Sequence, residues 1–142
     1  MIAALSTPRN RTVSIIFFAI GIVLATSAMI IGINDNPPGI FMAFGAVAAL
    51  ILAIIHPWRT ARHYLRFLIA GIVAFVLFAI LHNVFYGLAE ITEDQSILQK
   101  ALQVLDVTSF LIAVLICPPA IVIGAVGSIA VLIGRFRRTV NV

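Results

Sequence analysis

The sequence predicts an all-α integral membrane protein: four transmembrane helices forming two antiparallel hairpins, both termini cytoplasmic, with a short amphipathic external helix before helix 4. Three observations carry that expectation. The first is composition: 63% of the 142 residues are hydrophobic and 10% are charged, against about 45–50% and roughly 25% in soluble domains. The second is the length of the stretches without Lys, Arg, Asp or Glu, which run 12–34, 36–58, 67–89 and 107–134. Each exceeds the roughly 20 residues that a helix needs to cross the hydrocarbon layer. The third is the placement of the charges between them.

Arg9 and Arg11 precede the first run, Arg59, Arg62 and Arg66 separate the second from the third, and Arg135, Arg137 and Arg138 follow the fourth. All five acids, Asp35, Glu90, Glu93, Asp94 and Asp106, fall in the other two connections, where Lys100 is the one basic residue. The positive-inside rule therefore assigns the Arg-rich side to the cytoplasm. So strong a bias argues against dual insertion, the requirement of small transporters built as antiparallel dimers. A basic excess that would suggest nucleic acid in a soluble protein has a sufficient explanation in topology, and no nucleic-acid partner is expected. The expected location is a bacterial or archaeal cell membrane.

Taken in order, span 1 is expected over about 13–33. Its basic start and the small residues Ala25, Ser27 and Ala28 resemble a signal peptide, but apolar residues continue from Met29 to Ile33. That is too long for a signal core, so the helix is read as retained. The stretch Asn34-Asp35-Asn36-Pro37-Pro38-Gly39 is a dense turn signal that makes spans 1 and 2 antiparallel neighbours. Span 2, about 40–58, needs His56 to Trp58 to reach across, because 16 residues from Ile40 to Ile55 rise only about 24 Å.

The next connection places Arg59, Arg62, His63 and Arg66 at helical spacing beside Trp58 and Tyr64. Trp58, Arg59, Arg62 and Arg66 are the expected lipid-headgroup contacts, since indole rings favour that level and arginines meet phosphates there. Span 3 is expected over about 67–87. Beyond it, Thr92-x-x-Gln95 reads as a capping box opening an amphipathic helix over about 93–105, with Ile97, Leu98, Ala101, Leu102 and Leu105 at helical spacing, which either lies on the outer surface or lengthens span 4 outward. Span 4, about 107–134, is interrupted by Cys117-Pro118-Pro119, which should deprive the carbonyls of Val114 and Leu115 of their donors.

Chemistry has few places to reside. The titratable side chains inside the runs are His82, Tyr86, Cys117 and, at an edge, His56. Counting helix rise from the cytoplasmic edges places His82 at about 22 Å and Thr26 and Ser27 at about 20 Å. One polar cluster is therefore expected in the outer half of the membrane, built from Thr26, Ser27, His82, Asn83 and Tyr86, with Thr108 and Ser109 beside them. It could hold a quinone, a lipid headgroup or a haem shared with a partner, or only join the helices by hydrogen bonds. No His-x-x-His or Cys-x-x-Cys pair is present, so no metal site is expected, and no nucleophile set converges at one depth. An enzyme acting alone is not expected.

Close packing is the stronger theme. Ala120, Gly124 and Ser128 repeat at four-residue spacing in span 4 beside the Pro118-Pro119 kink, and small pairs recur in span 1 (Gly21 with Ala25), span 2 (Gly45, Ala49, Ala53) and span 3 (Ala70 with Ala74). Such spacing lets helices approach closely. By elimination, the expected function is that of an accessory or structural subunit of a larger membrane complex, of respiratory or photosynthetic type, whose partners are membrane lipids and other membrane-protein subunits. The alternatives are a small transporter or channel acting as a parallel homo-oligomer, and a membrane protein that binds a cofactor or quinone through His82.

Overall fold

The computed structural model of the chain describes residues 7–34, 36–92 and 96–140. These residues form α1 (Pro8–Ile31), α2 (Pro37–Ile55), α3 (Ala61–Glu90), α4 (Ile97–Leu111), a π-helical turn (Ile112–Ile116) and α5 (Cys117–Val140). Helices α4 and α5 are joined without a break through the π turn, so the described residues form four helical rods long and apolar enough to cross a membrane. No strand occurs among the described residues.

Local chemistry explains the helix boundaries. Helices α1 and α2 each begin on a proline that follows an extended residue, Thr7 and Asn36, a position where the missing N–H costs nothing. Helix α1 stops at Gly32, whose φ of 85° only glycine adopts freely, with its N–H on the Ala28 carbonyl at 2.9 Å. The Asn36 amide then reaches back to the Ile31 carbonyl at 3.0 Å. Gly39 lies so close to the Gly32 carbonyl that any Cβ there would collide with it.

Helix α3 starts at Ala61, six residues before the expected edge of span 3, after a Thr60 whose hydroxyl is 2.8 Å from His63 Nδ1. It also runs three residues further than expected, to Glu90. The expected external helix over 93–105 is corrected. Residues 93–95 lie outside those described, Ser96 is the cap, and its side chain accepts from the Gln99 N–H at 3.0 Å. Thr92, the expected cap, instead donates its hydroxyl to the Leu88 carbonyl at 2.7 Å. The segment extends the fourth rod outward, the second of the two expected arrangements, and is not a separate element.

Prolines 118 and 119 explain the π turn. The Cys117 N–H donates to the Ile112 carbonyl, five residues back. In that register the donors due to Ala113 and Val114 would come from Pro118 and Pro119, which have no N–H. Turns of this kind absorb an irregularity without breaking a helix.

The rods form an open row. Helix α1 packs along α2, α2 meets the π turn and α5, and α3 packs along α4, the π turn and α5. The seams are built from small residues: Gly21 and Ala28 on α1, Ala46, Ala49 and Ala53 on α2, Gly71 on α3, and Cys117, Ala120 and Gly124 on α5 are buried. Among the described residues no large side chain is fully enclosed, while Phe18, Val23, Met29, Phe41, Val73 and Val126 are among many apolar groups left exposed. A closed bundle would bury such groups, and the row leaves its broad faces for other molecules to cover.

Candidate functional site

A polar side-chain pair that joins two rods lies near the Glu90 end of α3. His82, on α3, projects toward α4, where Asp106 stands four residues before Phe110 and so on the same helical face. His82 Nδ1 and Asp106 Oδ1 are 2.5 Å apart. The Phe110 ring lies beside the imidazole, centroids 5.1 Å apart and tilted by 49°. The aspartate side chain is 16% exposed and the histidine 33%, so the carboxylate is the better sheltered of the two.

A carboxylate accepts, so the hydrogen between them sits on Nδ1 and Asp106 fixes the ring's orientation. Nε2 is then the atom left to act. This is the arrangement by which a second residue orients a histidine for ligation or proton exchange. Ser109, one turn beyond Asp106, is buried, so the half-buried pair lies toward the packed side of α4.

The expected seven-residue cluster does not assemble. Thr26 and Ser27 lie on α1, which packs along α2 and not along α3, and the Thr26 hydroxyl bonds its own helix at the Ile22 carbonyl, 2.9 Å away. Asn83 is exposed and donates to the Ala79 carbonyl at 2.8 Å. Thr108 does likewise to Val104 at 2.6 Å, and Tyr86 is 56% exposed. Equal depth was a sound argument for possible contact, but the row separates α1 from α3. Sequence reasoning missed Asp106, which it assigned to the external connection; its spacing from Phe110 and the continuity of α4 with α5 were the available signals.

The α3–α5 seam sits further along the same two rods. Gly71 faces Ile121 and Ala120, and a Cβ on Gly124 would lie 2.8 Å from the Leu68 backbone. Of the expected row, Ala120 and Gly124 are buried and Pro119 with them. Pro118 is half-buried. Ser128 is also half-buried and turns its hydroxyl onto the Gly124 carbonyl at 2.7 Å, while Gly127, set against the Tyr64 ring, continues the seam. On α3 the packing residue is Gly71; Ala70, beside it in sequence, is exposed.

The Arg-rich connection is also arranged differently from expectation. Arg59 precedes α3, so only Arg62 and Arg66 share its first turns, and all three are exposed. Trp58 is held by rings rather than left at a surface: its centroid is 5.7 Å from His63, 5.4 Å from Tyr64 and 5.8 Å from Phe67. Among the described residues, no three His, Cys, Asp or Glu side chains are grouped as a metal cage would require. No protein-family model matches the chain, and no curated protein or solved structure is similar to it.

Proposed function

We propose that the chain is an accessory subunit of a larger membrane complex, inserted as two antiparallel hairpins with both termini cytoplasmic. The observation that carries the reading is the open row: three seams join four rods, and the broad apolar faces have no partner within the chain. The hairpin reading draws support from the contact order, in which Gly32 meets Gly39, Leu24 meets Gly45 and Gly21 meets Leu50. The charge asymmetry supports the sidedness. Isolation from its native membrane in a mild detergent tests the assignment: the chain should travel with other membrane proteins at fixed stoichiometry. A monodisperse particle made only of this chain would sink it.

A second reading has its own support in the pair of His82 and Asp106. With Nδ1 engaged, Nε2 is oriented as the single protein ligand for a haem or as the hydrogen-bonding partner of a quinone, the group being shared with a neighbouring subunit. The isolated complex would then carry a visible or redox-active chromophore whose spectrum changes in His82→Ala. An unchanged spectrum in that variant removes the reading.

A further inference from the structure

We propose that the cavity between α1, α2 and the π turn binds a lipophilic alcohol or phenol, whose hydroxyl donates to the Leu115 carbonyl. The cavity has a volume of about 440 Å³, with Ala25 and Ala28 of α1, Ala43 and Ala46 of α2 and Leu115 of the π turn among its walls and Asn34 at the turn end. That size falls within the roughly 300–1,000 Å³ of small-molecule sites. The space follows from the sequence: of the first hairpin, α2 packs on the π turn and α5, and the alanines beside α1 leave the remaining angle unfilled.

Leu115 brings an unpartnered acceptor to that wall. The π register ends at Ile116 and the chain is α-helical again from Cys117, so the Ala120 N–H belongs to the Ile116 carbonyl. The donor due to Leu115 is then that of Pro119, which has none. A residue's carbonyl lies on the same face of a helix as its side chain, and the Leu115 side chain lines the cavity. In hydrocarbon such a carbonyl has to be covered by a hydroxyl, an N–H or water. Asn34 is exposed at the turn, and the rest of the lining is Gly, Ala, Val, Leu, Ile and Met, none of which has a side-chain donor.

These walls select the ligand. A charged molecule finds no counter-charge among them, and a plain hydrocarbon leaves the carbonyl bare. A molecule with an apolar body and one hydroxyl satisfies both the walls and the acceptor. This inference goes beyond the subunit reading and depends neither on it nor on the pair of His82 and Asp106.

The test compares para-heptylphenol with heptylbenzene, probes of near-equal shape that differ by one hydroxyl, on the full chain in detergent micelles. Each affinity is taken relative to the probe's own partition into empty micelles. The wild type should favour the phenol about tenfold, the ratio that one buried acceptor gains on being satisfied. Pro119→Ala, which returns an N–H to the Leu115 carbonyl, should bring the two probes close to parity while heptylbenzene still binds. Ala43→Phe, from a half-buried wall position, should release both. In the wild type, where no substitution can disturb the fold, a ¹³C label on the Leu115 carbonyl should show its amide I band moving to lower frequency with the phenol and not with heptylbenzene. A band that the phenol leaves in place overturns the proposal, because water or the chain itself then covers the carbonyl. Equal affinities in the wild type, the signature of a groove for hydrocarbon tails, overturn it too. So do a phenol preference that survives Pro119→Ala and probes that stay bound in Ala43→Phe.

Discussion

Asp106 Oδ1 stands 2.5 Å from His82 Nδ1, joining two helices through residues 24 positions apart in the chain. The contact is a hydrogen bond to an ionisable acceptor and should couple the stabilities of α3 and α4. In a double-mutant cycle with Asp106→Asn, His82→Ala and the combination, followed by detergent-induced unfolding in mixed micelles, the coupling should be about 1–3 kcal/mol. Additive effects of the two substitutions would show that the pair contributes no interaction.

The α3–α5 seam should tolerate no added carbon at its centre. A Cβ on Gly124 would sit 2.8 Å from the Leu68 Cα and backbone nitrogen, where nothing flexible can give way, so Gly124→Ala should destabilise by about 1–3 kcal/mol. Gly87 has no atom within 4 Å of the same construction. Gly87→Ala should be neutral or add up to about 1 kcal/mol from helix propensity. The same unfolding measurement compares the two, and equal costs would place the seam elsewhere.

At the turn between α1 and α2, two glycines are required for different reasons. Gly32→Ala forces a side chain to φ 85° and should cost about 1–2 kcal/mol. Gly39→Ala drives a methyl group into the Gly32 carbonyl, and should be the more damaging of the two. Thermal melts of both variants in detergent decide the order, and a milder Gly39 variant would contradict the packing described.

The double proline should leave spectroscopically distinct carbonyls. A ¹³C label on Val114 in the wild type should report a carbonyl without its helical donor. In Pro118→Ala/Pro119→Ala the restored N–H groups should move that amide I band to lower frequency. A band that stays in place would mean that the carbonyl already has a partner.

Sidedness can be read by thiol labelling in a Cys117→Ser background. Asn34→Cys should react with a membrane-impermeant maleimide in intact cells, and Arg59→Cys only after permeabilisation. The reverse pattern would invert the proposed topology.

The membrane class was legible because density of Ile, Val, Leu and Phe over 20-residue windows does not depend on which helices touch. The seams were half legible. Ala120 and Gly124 stood out by spacing, but Gly71 competed with Ala70 and Ala74 on a helix apolar on every side, and no polar face revealed which side packs. Thr92-x-x-Gln95 fits a capping box by pattern, but the structure caps α4 at Ser96, whose side chain takes the Gln99 N–H. Asp106 borders the charge-free run 107–134 and so reads as part of the external connection, which separated it from His82. The order of helices in the row was not legible at all, and it is that order which keeps Thr26 and Ser27 away from His82.

An open row has a further consequence for the pair of His82 and Asp106. Because both side chains of the pair are partly exposed, the protein supplies only part of the dielectric around these two groups. The molecule lying against the exposed third of the histidine supplies the rest. A lipid tail there would strengthen the field between them, and a water-filled cleft or a polar neighbour would weaken it. The chemistry of the pair is therefore set from outside the chain, and whatever docks on that face acts as its tuning element.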